Sequence, residues 1–205
     1  MARPLFLIHG GLWEDDMTAD RFWHRPGVIS RLREDGWVPQ TPNRLPRPAS
    51  WEAEAAHLAR LLPDGPVPVI AASNGASVGV RLALAHPARV SALVLAWPAT
   101  AGDPQLDQAT RVAHGPGVEP LLAGETLRGV RDDELARLRL PVAVVPAPPE
   151  SPWHQRHTAD ALLKLVPDAV ELPVFPETPH PGFAGRAGEF SEALAGFLRS
   201  RTAAS

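Results

Sequence analysis

The stretch that most constrains the fold is residues 67–87, VPVIAASNGASVGVRLALAHP. An apolar run at 67–72 leads into small residues, and a helical pattern of apolar positions then continues until Pro87. This pattern is typical of a buried strand that turns sharply into a helix. The turn holds two serines, Ser73 and Ser77, and either could lie at its apex.

The rest of the chain repeats this alternation of strand and helix. Further strands are predicted at 5–8, 37–42, 91–97, 142–145 and 170–174. Helices are predicted within 21–35 and at 50–62, 132–138, 155–166 and 187–199. Continuously apolar strands separated by helices favour a mainly parallel sheet covered on both faces, which is a three-layer α/β/α architecture.

The chain length favours one domain. Its 205 residues can bury a sizeable core, so residues 1–205 are predicted to form a single domain. Residues 98–139 show no clear periodicity and contain the breakers Gly-Asp-Pro and Gly-Pro-Gly. We expect this segment to form a small cap-like insertion over the sheet.

Composition excludes several classes of partner. The formal net charge of −3 gives no basic footprint for nucleic acid. The absence of cysteine excludes a thiolate nucleophile and cysteine-ligated metal. His154 and His157 are spaced as helical neighbours, but no third ligand lies nearby, so no metal and no cofactor are predicted. No signal peptide or membrane span is visible, which predicts a cytoplasmic protein with no membrane partner.

Two further motifs support a family resemblance. FLIHGG has the form of a strand that enters a Gly-rich loop, and RLALAHPARVSALVLAWPA follows the serine turn. With the order of elements, these motifs resemble the α/β-hydrolase fold over nearly the whole chain. The similarity is to its compact esterase and hydroxynitrile-lyase-like branch with a short cap. Because the chain starts almost at the FLIHGG strand, the resemblance implies a sheet that lacks the family's first two strands.

The resemblance implies a serine on a strained turn directly after a strand, with small residues two positions before and after it. Ser73 satisfies this requirement through Ala71 and Gly75. Ser77 matches Gly-x-Ser-x-Gly by letter through Gly75 and Gly79, but its use would shorten the following helix to two turns. We therefore expect Ser73 to be the nucleophile, with Ser77 as the alternative.

The resemblance also implies a histidine base after the last strand and a carboxylate after the strand before it. His180 is the expected base, with His154 and His157 as alternatives. Glu150 is the carboxylate in the other loop and is the expected acid. Asp103, after an earlier strand, is the alternative to it.

The same resemblance implies an oxyanion hole formed by the backbone N–H groups of Gly11 and Asn74. Apolar and aromatic residues on neighbouring loops are expected to line the substrate pocket. These residues are Leu12, Trp13, Trp97 and Trp153.

The predicted function is that of a serine hydrolase acting on a small ester, thioester or lactone through an acyl-enzyme. A non-hydrolytic catalyst on the same fold, such as a lyase or a cyclase of natural-product tailoring, is an alternative. A non-catalytic protein that binds a small molecule is a third possibility. The sequence predicts a small-molecule partner and no particular oligomeric state.

Overall fold

The computed structural model describes residues 3–202, except the side chains of Pro116, Arg201 and Thr202. Its strands are β1 (Arg3–Ile8), β2 (Trp37–Gln40), β3 (Val67–Ala72), β4 (Val90–Ala96), β5 (Val142–Val145) and β6 (Val170–Glu171). Its helices are α1 (Val28–Glu34), α2 (Trp51–Ala59), α3 (Gly75–Ala85), α4 (Pro104–His114), α5 (Glu119–Leu122), α6 (Asp132–Leu135), α7 (Arg156–Leu165), α8 (Pro181–Ala184) and α9 (Ala187–Thr202). A π-helical turn (Asp20–His24) and a 3-10 turn (Pro116–Val118) complete them.

The strands form one sheet in the order β2-β1-β3-β4-β5-β6, and every neighbouring pair is parallel. This arrangement confirms the predicted α/β class. The chain moves outward from β1 to β2 and then returns to place β3 on the other side of β1. The order therefore reverses between β1 and β3, and ligands of open parallel sheets bind outside the carboxyl ends of the strands at such a point.

Helices cover both faces of the sheet. Helices α2, α3 and α7 pack on one face, while α1 and α9 pack on the other. Strand β1 shows the alternation that this requires: Phe6 and Ile8 join the first core, whereas Leu5 and Leu7 join the second. Because both faces are covered, every residue of β3 is buried.

Strand β6 is shorter than the predicted 170–174. The Leu172 N–H still donates to the Val144 carbonyl at 2.8 Å, but Pro173 follows and has no N–H to continue the ladder. The chain therefore leaves the sheet early and forms a long loop up to α8.

The segment 98–139 is more helical than its sequence suggested. Asp103 caps α4 by accepting from the Gln105 N–H at 2.9 Å, and Pro104 occupies the first turn. The Trp51 indole N–H donates to the Leu121 carbonyl at 3.1 Å, which fixes this segment against α2. The description of 98–139 as a cap-like insertion stays a prediction. Within residues 3–202, no helix combines the length and the apolar character needed to cross a membrane.

Candidate active site

A cavity of about 500 Å³ opens at the carboxyl edge of the sheet. Its walls come from the loop after β1, the turn after β3, helix α4, and the loops after β5 and β6. This is the edge at which the reversal of strand order predicts a ligand site. The volume is in the range of small-molecule sites.

Ser73 lies at the apex of the turn between β3 and α3. Its φ of +53° is a left-handed conformation that a non-glycine residue adopts only when its surroundings impose it. The Ser73 N–H donates to the Ala96 carbonyl at 2.8 Å, which fixes the turn to the end of β4. The Ser73 side chain lines the cavity, whereas Ser77 is buried one turn into α3.

Packing explains the two glycines on either side of Ser77. A Cβ at Gly75 would lie 2.8 Å from the His9 carbonyl oxygen. A Cβ at Gly79 would lie 2.6 Å from the Cβ of Ala71. The match of Ser77 to Gly-x-Ser-x-Gly thus arises from close contact of α3 with β1 and β3.

His154 makes the hydrogen bond to the serine. Its Nε2 lies 2.9 Å from Ser73 Oγ, and the imidazole is buried. Thr100 holds the backbone on both sides of this histidine. The Thr100 N–H donates to the Trp153 carbonyl at 2.9 Å, and the Gln155 N–H donates to Thr100 Oγ1 at 2.9 Å.

Two oxygen groups lie on the other side of the imidazole. His154 Nδ1 is 3.2 Å from Glu177 Oε2 and 2.9 Å from Ser151 Oγ. An Nδ1–H that donates to either oxygen leaves the Nε2 lone pair free to accept the proton of Ser73. The arrangement therefore orders the three groups as hydroxyl, imidazole and carboxylate.

Burial shifts the pKa of both titratable partners. It lowers the pKa of His154 to about 4. It raises the pKa of Glu177 to about 8, a shift that a hydrogen bond with Ser73 opposes and the charge of Glu14 adds to. Between these values the His154–Glu177 pair holds one proton and has no net charge.

The structure does not bring His180 or Glu150 to Ser73. His180 is exposed, and its Nδ1 accepts from the Gly182 N–H at 3.0 Å, so that the side chain caps α8. Glu150 is exposed in the turn that precedes His154. Neither residue lines the cavity, and their expected places beside the serine are taken by His154 and Glu177.

Asp103, the alternative acid, lies outside the cavity wall and binds the residue that follows His154. In addition to capping α4, its carboxylate accepts from Gln155 Nε2 at 2.9 Å. That hydrogen bond is the main reason why the pKa of Asp103 is lowered. Asp103 thus helps to hold the residue that follows His154 and does not itself contact the imidazole.

Gly11 and Asn74, whose backbone N–H groups are the predicted oxyanion donors, both line the cavity with Ser73. Within residues 3–202, neither donates to a protein acceptor. An oxyanion hole requires backbone N–H groups that have no protein acceptor, so these two groups are candidates for that role.

A buried ion pair, which was not predicted from the sequence, connects the segment before Gly11 with Asn74. Arg44 donates to both carboxylate oxygens of Glu54, at 2.6 and 2.7 Å, and neither side chain reaches solvent appreciably. Arg44 Nη1 also donates to the His9 carbonyl at 3.0 Å and to Asn74 Oδ1. The arginine therefore links the loop after β1 to the serine turn. These partners are 10 to 35 residues apart, and no local pattern in the sequence signals the contact.

His9 has a structural position below the cavity. Burial lowers its pKa to about 4, so the imidazole is neutral at physiological pH. Its Nδ1 lies 2.8 Å from the Gly10 carbonyl, and its Nε2 accepts from the Arg44 N–H at 3.2 Å. With both ring nitrogens engaged, His9 braces the loop after β1.

Of the four residues that were predicted to form the pocket, two lie in its wall. Trp13, which stacks on His114 with ring centroids 5.4 Å apart, and Trp153 both border the cavity. Leu12 belongs to the core, and so does Trp97. The Trp97 indole N–H donates to the Phe175 carbonyl at 2.8 Å, which turns the ring into the protein and away from the cavity.

Solved structures share this architecture at low sequence identity. NosK from Streptomyces actuosus is 20% identical, with 98% of this chain and 100% of that chain covered and a TM-score of 0.66. An α/β hydrolase enzyme, MGS-MChE2, from the sediment metagenome of the Mar Chica lagoon in Morocco is 16% identical (98% and 93% covered, TM-score 0.72). The meta-cleavage product hydrolase CumD from Pseudomonas fluorescens IP01 is 14% identical (97% and 91% covered, TM-score 0.70). The chain has the α/β-hydrolase fold. No protein-family model and no curated protein matches the sequence.

Within this α/β-hydrolase fold, the imidazole and the carboxylate come from exchanged loops. The family resemblance implied a carboxylate after β5 and a histidine after β6. The structure instead has His154 after β5 and Glu177 after β6. Among the described residues, no group of three or more His, Asp or Glu side chains could hold a metal ion.

Proposed function

We propose that this protein is a serine hydrolase that cleaves a small ester, thioester or lactone through an acyl-enzyme. In this proposal Ser73 is the nucleophile, His154 the general base and Glu177 the carboxylate partner of the imidazole. The observation that carries it is the 2.9 Å contact between Ser73 Oγ and His154 Nε2 on a strained turn at the cavity wall. The α/β hydrolase enzymes among the similar structures support a hydrolytic role.

The steps follow from the three groups. His154 Nε2 removes the Ser73 hydroxyl proton as Oγ bonds to the substrate carbonyl carbon, and Glu177 stabilises the imidazolium that forms. The N–H groups of Gly11 and Asn74 stabilise the oxyanion, a contribution of about 3 kcal/mol per donor. His154 then protonates the leaving oxygen or sulfur. Water, deprotonated by His154, attacks the acyl-enzyme and releases the acid and free Ser73.

A fluorophosphonate probe tests the nucleophile. We expect intact-mass analysis to show one adduct on the wild-type protein, and peptide mapping to locate it at Ser73. The Ser73→Ala variant should show none. The matched Ser77→Ala variant should label like the wild type. A folded wild-type sample that neither labels nor hydrolyses p-nitrophenyl esters of increasing chain length would overturn the proposal.

One observation favours a second candidate function, a lyase or cyclase that uses these groups for acid–base chemistry. The raised pKa of Glu177 keeps most of this carboxyl protonated near neutral pH, so that it could donate a proton or hydrogen bond. Such a catalyst would form no acyl-enzyme. Rapid-quench mass spectrometry separates the two, because only the hydrolase accumulates a covalent acyl adduct on Ser73.

A site that has lost catalysis is disfavoured by the same geometry. A decayed site has no need to keep the serine strained, the imidazole within 2.9 Å, and two free N–H groups beside them. The binding-protein alternative would gain support only from a folded protein that binds small acyl compounds and turns none of them over.

A further inference from the structure

The cavity wall includes a buried cation that the proposed hydrolysis does not use. Arg128 lines the same cavity as Ser73 and His154, and only 3% of the residue is exposed. An arginine keeps its charge at any physiological pH, even where burial lowers its pKa as it does here. A buried guanidinium is therefore costly unless acceptors surround it.

The hydrogen bonding of this guanidinium is incomplete. Arg128 Nη2 donates to Asp107 Oδ1 at 2.9 Å. Its Nε is buried without a partner, and among the described residues its Nη1 also has no acceptor. Guanidinium groups offer five N–H donors in a planar fork that matches a carboxylate. Most of that capacity at Arg128 is unused.

The backbone holds Arg128 at the cavity wall. Antiparallel bridges join Gly124 to Arg128 and Leu127 to Val130, which makes 124–130 a tight turn. Gly129 packs so closely on Trp51 that a Cβ there would lie 2.1 Å from the indole ring. A side chain held in this way is preorganised for a ligand, which lowers the entropic cost of binding.

The other charged groups of the cavity do not neutralise Arg128. Glu14 forms its ion pair with Arg21, at 3.3 Å, and Glu177 faces His154. His114, the remaining titratable group of the wall, stacks on Trp13. Asp107, which is not among the residues of the cavity wall, is the carboxylate that forms an ion pair with Arg128, at 2.9 Å.

We infer that Arg128 binds a carboxylate carried by the substrate, so that the protein acts on small acyl compounds with a second, anionic group. This substrate assignment rests on the proposed hydrolase function. The incoming carboxylate would supply an acceptor for Nη1, which has none among the described residues. A neutral acyl chain of equal length would leave that donor unpaired and would be the poorer substrate.

The test compares charged and neutral esters of matched length. One series has p-nitrophenyl monoesters of glutaric, adipic and pimelic acids against the corresponding neutral alkanoates. A second has the carboxylate on the leaving group, as in 4-carboxyphenyl against phenyl butyrate. We expect wild-type kcat/KM to favour the charged member of at least one series by roughly 10- to 100-fold, as a charge-assisted hydrogen bond in a buried site allows.

The variant Arg128→Gln should bring this ratio of charged to neutral kcat/KM close to one. The double variant Arg128→Gln/Asp107→Asn should do the same, and it covers the case in which Asp107 left without its partner unfolds the protein. Arg111→Gln is the matched control, because it removes a positive charge from an exposed position of helix α4, the helix that carries Asp107. Its ratio should equal that of the wild type. A wild type without preference, or a preference that survives Arg128→Gln, overturns the inference.

Binding to the Ser73→Ala variant keeps this test independent of catalysis. Calorimetry with adipate against adipamide should show tighter binding of the dianion, and the added Arg128→Gln change should abolish the difference. If the dianion is preferred but no ester is ever hydrolysed, the hydrolase proposal alone fails. If both ligands bind equally, the carboxylate assignment fails even in an active hydrolase.

Discussion

The loops after β5 and β6 carry His154 and Glu177, which lie next to each other in the site. The two loops are held in place differently. In the loop after β5, His154 is buried and Thr100 holds the backbone on both sides of it. In the loop after β6, Glu177 keeps 27% of its side chain exposed. The neighbouring Thr178 hydroxyl donates to the Phe22 carbonyl at 2.5 Å and anchors that loop to the π-helical turn.

The arrangement of hydroxyl, imidazole and carboxylate thus depends on where these groups lie in space and not on which loop carries each of them. A base must hold its nitrogen within hydrogen-bond reach of the nucleophile, so the imidazole benefits from the hydrogen bonds of Thr100 on both sides of His154. A carboxylate that orients the imidazole tolerates a position at the cavity wall, where part of the Glu177 side chain is open to the cavity. Hydroxyl, imidazole and carboxylate recur in different chain orders on unrelated folds for the same reason.

The largest effect is expected from the removal of each candidate base. His154→Ala should lower kcat/KM for p-nitrophenyl esters by at least about 10⁴-fold, because among the described residues no other imidazole contacts Ser73 Oγ. His180→Ala should leave kcat/KM within about twofold of the wild type and only weaken the cap of α8. If His180→Ala loses most of its activity while His154→Ala stays active, the base lies in the loop after β6 and this assignment is wrong.

The second test removes each candidate acid. Glu177→Gln should lower kcat by about 10³- to 10⁴-fold, because the amide can donate to Nδ1 and stabilise the wrong tautomer of His154. Glu150→Gln, an exposed change of the same chemistry, should have no effect. If Glu177→Gln costs less than about tenfold, Ser151 would be the partner that orients the imidazole, since it lies 2.9 Å from the same nitrogen.

The fold could be predicted from sequence because its signals are local. The apolar run of β3, the small residues around Ser73 and the helical pattern of α3 lie within 21 consecutive residues. Helix α4 was missed although Asp103 and Pro104 provide a capping residue and a favourable first turn. The Gly-Asp-Pro sequence there predicts a breaker, and the helix that it begins buries only two side chains, Leu106 and Thr110.

The site could be predicted only in part, because its contacts are long-range. Sequence shows that His154 and His180 both follow strands that end at the same edge, but not which of them reaches Ser73. That choice depends on hydrogen bonds of Thr100 to residues more than 50 positions away. Trp97 was expected in the pocket, but its φ of +48° and its bond to Phe175 direct the ring into the core. Neither feature can be read from the residues beside it.

The pH dependence of kcat/KM also distinguishes His154 from Glu177. The pKa of His154 is lowered to about 4 and that of Glu177 is raised to about 8, so the form with a neutral imidazole and a carboxylate predominates only above about pH 8. We expect kcat/KM to rise with pH along a limb of apparent pKa near 8. At pH 6 it should be about 100-fold below its plateau, since one protonation changes the rate about tenfold per pH unit. Stopped-flow assays corrected for spontaneous hydrolysis measure the limb, and its persistence in Glu177→Gln would contradict the assignment.

The smallest effect is expected from the hydrogen bonds that hold the loop after β5. Thr100→Val removes the acceptor of the Gln155 N–H, a loss of about 1–3 kcal/mol of stability for a group that is partly buried. The resulting displacement of His154 should lower kcat about tenfold with little change in KM, because the imidazole acts on the transition state. Thr100→Ser keeps the hydroxyl and should restore kcat. Thr41→Val, which removes a threonine hydroxyl bonded to His24 at the surface, is the control. A loss of thermal stability in Thr100→Val without any change in kcat would mean that Thr100 supports the fold but does not position the base.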